Sequence, residues 1–450
     1  VQQPTIDIER LENEAAELLE QLVRIDTRNP PGNERVAALF VKEKLGQVGV
    51  EAQLLEKTPG RTNLLARLEG AGRAPSLMLD SHLDTVGADE SGWKMPPLSG
   101  AVKDGFIWGR GALDMKAMTA MSLALFRAYA TAGLKPGGNL TLCCTADEEA
   151  GSEAGAQWLA NAHPHWVKND YALGEVGGMT FWVNGRCVVP VQVAERGICW
   201  MKATVKGRAG HGSMAGSRTV VHQTAELINK VASMRFPIWV HPAAASTLRG
   251  LAQNVGPLAS FALKRVASGG VDAPFWLRMM GDSRHTFAPM VRPTVQPTTI
   301  HCGSAVNVVP DSSQVLIDGR VLPGQDPQVL LQEVQRWLGP DVVVEPLLLR
   351  YGHSTSPDNP LMKSIERVVA TMAPESIVVP TLTPGHTNGS VYSTLGTRYL
   401  GFTPILMPQT LRYFDLFHAA NERCPVEGLK WGAQTLHKVV DAFFAGKSGH

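Results

Sequence analysis

An α/β fold is what this sequence predicts: a mostly parallel sheet flanked by helices on both faces, plus an inserted smaller α+β domain. Three observations predict it. Short apolar runs such as Ser76-Leu77-Met78-Leu79-Asp80 lack alternation, as strands covered on both faces do. Stretches of helical period separate these runs. Imidazoles and carboxylates recur just after the strand-like runs, at the edge where such sheets collect functional groups.

Residues 6–25 place Ile8, Leu11, Ala15, Leu18, Leu19 and Leu22 on one helical face. Asn29-Pro30-Pro31-Gly32 breaks the chain. A second helix is expected over residues 34–47, then strands at Leu54 and at Leu64-Leu65-Ala66-Arg67-Leu68. Strands alternating with helices are expected to continue to about Ala194, with a buried strand over 139–146 and a helical stretch from Asp114 to about Ala132. The pattern changes at Glu195-Arg196-Gly197. A strand over 200–205 leads to a glycine-rich turn at Gly207-Arg208-Ala209-Gly210-His211-Gly212-Ser213, and then to a helix over 219–234. Residues 237–299 are rich in Ala, Pro, Phe and Trp. Strands over 304–309 and 315–321 and a helix over 329–338 close this region. Residues 196–349 thus read as an inserted domain, and 1–195 with 350–450 as the main one. Helices over 359–372 and 426–444 and strands near Ile377 and Tyr399 complete the latter.

With 450 residues the chain has room for two domains and a large core. Hydrophobic residues make up 44% and charged ones 18%, and the formal net charge of +1 gives no attraction for nucleic acid or an anionic membrane. No apolar run approaches the ~20 residues a membrane helix needs. The six cysteines form no Cys-x-x-Cys pair and read as buried free thiols. The start, Val1-Gln2-Gln3-Pro4, lacks methionine, which predicts a periplasmic or secreted protein freed of its signal, or otherwise a cytoplasmic one.

His82 and Asp84 are two apart on an extended segment and share a face, so Asp84 can fix the imidazole of a metal-binding His82. Asp114 opens a helical stretch, where an acidic residue is ordinarily a cap. Glu148 and Glu149 end a buried strand side by side. Adjacent carboxylates repel unless protons or cations intervene, which suits one ligand and one general base. Glu175 sits among small residues, and His418 lies far downstream. Together, imidazole and carboxylate suit zinc and its neighbours.

The motifs His82-x-Asp84, Gly109-Arg110-Gly111-x-x-Asp114-x-Lys116, Ala146-Asp147-Glu148-Glu149-x-Gly151 and Gly174-Glu175 occur in order. Gly210-His211-Gly212-Ser213, Asp318-Gly319-Arg320-x-x-Pro323-Gly324 and His418-x-x-Asn421-Glu422 follow. This series resembles the dinuclear-zinc peptidase family of carboxypeptidase S, aminoacylase and glutamate carboxypeptidase, and its carboxypeptidase S-like branch in particular. The resemblance implies that Asp114 bridges two zinc ions per subunit, with His82 and Glu175 completing one site and Glu149 and His418 the other. It makes Glu148 the general base and Asp84 the residue that orients His82. It makes the inserted domain a lid and dimerisation domain, with His211 stabilising the oxyanion, often from the other subunit of a homodimer. Asn307 and Arg320 match substrate-contacting positions. Cobalt or manganese fits such ligands nearly as well as zinc.

One segment departs from the branch, which usually reads Gly-Asn-Thr-Asp-x-Arg. Here it is Gly385-His386-Thr387-Asn388-Gly389-Ser390, so His386, Asn388 and Ser390 line a candidate substrate site without the arginine suited to a free carboxylate. Residues 237–299 also exceed the usual insert. Their apolar content predicts a hydrophobic wall for an acyl or aryl group, or a subunit interface. The expected activity is hydrolysis of the amide of a small peptide or N-acyl amino acid. The alternatives are an amidase or esterase for an apolar substrate lacking a free carboxylate, and a non-catalytic binding protein of the same fold.

Overall fold

The computed structural model describes residues 5–446. The opening Val1-Gln2-Gln3-Pro4, on which the expectation of export rests, lies outside the described residues. The chain divides into two compact units. One comprises the chain up to Val193, Thr355–Thr381 and the part from Thr387 on; the other comprises Ala194–Ser354 and Leu382–His386. The second unit therefore extends a few residues beyond 196–349 at each end and also takes in the later segment with His386.

In the first unit, α1 (Ile8–Val23) starts at Asp7, whose carboxylate accepts the Arg10 N–H at 3.1 Å. Its apolar stripe buries Leu11, Leu18, Leu19 and Leu22 completely or nearly so, each contributing about 1.5–3 kcal/mol. After α2 (Glu34–Gly46), β1 (Ala52–Glu56) and β2 (Thr62–Leu68) form an antiparallel pair. Then come β3 (Leu77–His82), α3 (Lys116–Thr131), β4 (Leu140–Thr145), α4 (Ala156–Ala162) and β5 (Tyr171–Gly174). Every residue of β3 and β4 is buried, which explains their unalternating apolar runs. Thr119 of α3 donates to Ser81 Oγ at 2.9 Å, so Leu77, Leu79 and Ser81 face α3. Met78 packs on the opposite side with Cys143, Ala172 and Leu159. His82 shares that register and ends the strand.

The alternation expected to reach Ala194 stops at β5. The strands β6 (Phe181–Val183) and β7 (Arg186–Glu195) follow as an antiparallel hairpin. Its two-residue connection, Asn184-Gly185, takes positive φ at both positions (49° and 80°), a geometry those two residue types favour.

In the second unit, β8 (Gly197–Lys206) leads to β9 (Gly210–His211), α5 (Val220–Ser233), α6 (Pro242–Ala252), α7 (Pro257–Ala267), α8 (Ala273–Met279) and α9 (Arg284–Val291). Next are β10 (Thr294–Cys302), β11 (Val308–Val309), β12 (Ser312–Val321), α10 (Pro327–Leu338) and β13 (Val342–Arg350). The antiparallel order is β10-β12-β8-β13. Met201, Val315 and Ile317 of this sheet pack with Leu227 and Val231 of α5 and Leu330 and Val334 of α10. The glycine-rich turn contains β9, which pairs with β11. The strand expected over 304–309 shrinks to β11, because Gly303 turns the chain at φ 67° and the next four residues loop. The apolar stretch 237–299 folds into four helices and the start of β10. Leu263 and Leu277 enter their core, whereas Leu258, Phe261, Phe275 and Met279 stay exposed.

The chain completes the first unit with α11 (Pro360–Met372), β14 (Ile377–Thr383), α12 (Gly389–Ser393), β15 (Arg398–Gly401) and α13 (Val426–Ala445). Its sheet runs β6-β7-β15-β5-β3-β4-β2-β1, with β14 beside β7. The pairs β15–β5, β5–β3 and β3–β4 are parallel, and the outer pairs are antiparallel. The fold is thus mixed α/β with a parallel sheet centre and a separate antiparallel sheet. Among the described residues no helix is long and apolar enough to cross a membrane. All six cysteines are free, and five of them are buried.

Candidate metal centre

Three central parallel strands deliver four of the acidic and imidazole groups to one edge of the sheet. His82 is the last residue of β3, Glu148 and Glu149 follow β4, and Glu175 follows β5. Gly174 is required there, since a Cβ would collide with the Tyr399 hydroxyl. Asp114 lies two residues before α3, so the helix-cap reading of this residue does not hold; Met115 occupies the cap. His418 comes from the loop before α13 with φ 56°.

These side chains converge. His82 Nε2 lies 3.2 Å from Asp114 Oδ1 and 3.4 Å from Glu175 Oε2. His418 Nε2 lies 3.3 Å from Asp114 Oδ2 and 3.2 Å from Glu149 Oε2. Two groups result, His82–Asp114–Glu175 and Asp114–Glu149–His418, each with its candidate ligand atoms within 4.8 Å of one another. Asp114 belongs to both and turns one oxygen to each.

The electrostatics are those of a site that wants cations. Burial, then the charge of Glu175, pushes the Glu148 carboxyl well above its ordinary range, and burial raises Glu175 to about 7. Hydrogen bonds to Asp114 and Glu149 raise His418 to about 10. Burial opposes a charged His82, but Glu175, Asp114 and Asp84 outweigh it and lift the imidazole well above its usual value. Protons here stand in for positive charge. Glu149 Oε1 is buried without a hydrogen-bond partner, and such an orphan oxygen is costly unless something coordinates it. Imidazole nitrogens and carboxylates in two groups joined by a shared carboxylate fit two divalent ions of the zinc type.

Asp84 holds the site in a way the sequence did not suggest. His82 Nδ1 lies 2.9 Å from the Asp84 backbone oxygen and 3.5 Å from its carboxylate. The carboxylate itself accepts the N–H groups of Glu148 and Glu149, both at 3.1 Å, and Asn29 Nδ2 at 2.9 Å. It thereby fixes the turn carrying the two glutamates. Glu422, fully buried, does the same for Asp114. Its oxygens accept Arg110 at 2.6 Å and the N–H groups of Gly111, Leu113 and Asp114 at 2.8–3.1 Å. Asp147, at φ 66°, pairs with Arg61 at 2.9 Å, and Arg61 also grips Glu34. These parts played by Asn29, Arg61 and Glu422 are not legible in the sequence. Their partners lie 27 to 312 residues away along the chain, and the only available hint was the placement of Glu422 within the His418 motif.

The remaining candidates belong to neither ligand group. Asn388 is buried, accepts from Ser152 Oγ at 2.8 Å and donates to Thr145 Oγ1 at 3.0 Å. Ser390 Oγ donates to the Thr387 carbonyl at 3.2 Å. In the second unit, His386 Nδ1 lies 3.4 Å from Glu195. Arg320 Nε donates to Asp318 at 2.7 Å, and its guanidinium lies over the Trp200 ring. His211 is exposed with Nδ1 engaged by Ser213 at 2.8 Å, and Asn307 is exposed with its carbonyl accepting Gly212 N–H.

The sequence model of Peptidase family M20/M25/M40 matches residues 78–442. The chain is 28% identical over 382 residues to mouse N-fatty-acyl-amino acid synthase/hydrolase PM20D1, covering 79% of this chain and 72% of that one. It is 25% identical over 405 residues to human aminoacylase-1, covering 88% of each. The fold superposes on the M20 family metallo-carboxypeptidase Sso-CP2 from Sulfolobus solfataricus with a TM-score of 0.73 at 19% identity, over 96% of this chain and 99% of that one.

Proposed function

We propose that this chain, which belongs to peptidase family M20/M25/M40, is a two-metal hydrolase that splits N-acyl amino acids into a carboxylic acid and an amino acid. At the coarser level it is a metal-dependent hydrolase of amide bonds. The observation that carries the finer reading is the pair of ligand groups sharing Asp114, with a further carboxylate, Glu148, that belongs to neither. The names of the curated relatives support the substrate class, since both the fatty-acyl-amino acid hydrolase and aminoacylase-1 act on acylated amino acids by those names.

His82, Asp114 and Glu175 would hold one ion, and Asp114, Glu149 and His418 the other. Ions bound there, zinc fitting best and cobalt or manganese nearly as well, would supply Lewis acidity toward the scissile carbonyl and acidify the attacking water. The rest of the chemistry falls to the chain. Glu148 takes the proton of the attacking water and delivers it to the leaving nitrogen as the C–N bond breaks. Its burial raises the carboxyl's affinity for a proton above the ordinary carboxylate range. Asp84 aims Glu148 through the backbone N–H it holds. His211, Asn307 and Arg320 are proposed to meet the substrate.

A second reading has a specific observation behind it. Asn388 and Ser390 occupy the departed segment, and both are buried with neighbours rather than offering a cation. An amidase or esterase that ignores the substrate carboxylate is consistent with this.

Mass-spectrometric hydrolysis of a matched panel tests the choice: dipeptides, short- and long-chain N-acyl amino acids, and their methyl-ester or carboxamide counterparts, with and without chelator. Chelator-sensitive cleavage favouring free-carboxylate N-acyl amino acids is expected. Equal or faster cleavage of the capped analogues would overturn the finer reading in favour of the second.

A further inference from the structure

The helical part of the inserted unit carries a charge imbalance that the rest of the chain does not. Between Arg235 and Arg292 there are seven arginines and lysines, and only Asp272 and Asp282 oppose them, in a chain whose net charge is +1. Asp272 is already held by Arg265 at 2.6 Å and by the Trp276 N–H at 2.9 Å. Four of the cationic residues, Arg235, Arg278, Arg284 and Arg292, line one cavity of about 650 Å³ together with His285. None of the four has an ion-pair partner among the described residues.

Arg235, Arg278, Arg284 and His285 stand exposed along the cavity, but they are not all loose. Arg235 is tied down by its hydrogen bonds to the carbonyls of Ala232 at 2.9 Å and Met234 at 2.7 Å. Arg284 Nε lies 3.5 Å from His285 Nε2. Arg292 is half-buried at the C-terminal end of α9, and burial followed by the charges of Arg235 and Arg284 presses its guanidinium below the ordinary range. Like charges gathered around one concavity repel one another, and a bound anion removes that cost. Guanidinium groups suit the oxygens of phosphate or carboxylate by paired N–H donation. The remaining wall is mostly apolar, with Phe236, Leu277 and Pro274 among its residues and Thr294 and Gln296 as its polar members. Its size falls within the range of small-molecule sites.

We propose that this cavity binds an amphiphilic anion, its phosphate or carboxylate head held by Arg235, Arg284 and Arg292 and its apolar body lying against Phe236 and Leu277. The site lies wholly within the inserted unit and uses none of the residues assigned to hydrolysis, so it stands independently of the proposed reaction.

Calorimetric titration of the full-length, metal-loaded protein tests it. Octyl phosphate and octanoate are the two head-group arms, and inorganic phosphate and acetate are their tail-less controls. At least one amphiphile should bind saturably, one per chain, at least tenfold more tightly than its control. Arg284→Gln and Arg292→Gln should each weaken that binding at least tenfold while hydrolysis of an N-acyl amino acid stays at the wild-type rate. Arg284 is exposed, so its variant keeps the test open should Arg292→Gln fail to fold. Equal affinity for amphiphile and control, or binding unchanged in the arginine variants, would overturn the proposal.

Discussion

Glu148→Gln should lower kcat for amide hydrolysis by roughly 100- to 10,000-fold, the span that general acid–base catalysis commonly contributes. KM and metal content should change little, because Glu148 belongs to neither ligand group. A second effect has the opposite sign. In metal-free protein, burial and the charge of Glu175 raise the Glu148 carboxyl above its unfolded value. The folded state then binds more protons than the unfolded state between those two values, so stability falls as pH rises through that window. The glutamine cannot ionise. Metal-free Glu148→Gln should therefore melt at a higher temperature than metal-free wild type at neutral pH. Steady-state kinetics with metal analysis, and thermal melts of stripped protein, read the two effects separately. A variant that keeps near-wild-type kcat would remove Glu148 from the reaction.

Asp114→Asn should be the most damaging change at the site. Its carboxylate turns one oxygen toward His82 and the other toward His418, and is the only member common to both groups. An amide offers one weakly basic oxygen in place of two charged ones. Bound metal should fall from two ions per chain toward none, and kcat/KM by about a thousandfold or more, the equivalent of several kcal/mol of lost transition-state stabilisation. His418→Ala is the contrast, since it touches one group only and should leave about one ion bound. Elemental analysis of the two purified variants distinguishes them. Equal metal loss in both would mean that Asp114 is not shared.

Much of this is legible in the sequence. The unalternating runs at Leu77-Met78-Leu79 and over 139–146 marked strands covered on both faces, and of the groups at their ends His82 and Glu149 fall in the two ligand groups. Asp84 was legible as a partner of His82, but not the division of labour between its backbone oxygen and its carboxylate. A side chain's choice among several nearby donors is a three-dimensional matter. Glu422 and Asn29 escaped for the same reason, since each meets its partners only after distant segments have folded. The Asn184-Gly185 hairpin is a different kind of miss. Its signal, an Asn-Gly pair between apolar runs, stood in the sequence, and the expectation of continued helix–strand alternation overrode it. The second unit was harder to read because its sheet edges are irregular. The loop after Gly303 and the return of Leu382–His386 carry no periodic pattern.

Dependence of amide hydrolysis on two ions held by these residues underlies both of these expected results. It is tested most directly by stripping the protein with chelator and measuring hydrolysis of an N-acyl amino acid as zinc is returned, with bound metal counted at each step. Negligible activity is expected in the stripped protein, with a rate that rises until two ions are bound per chain. Undiminished activity after stripping, or a full rate with one ion bound, would contradict it.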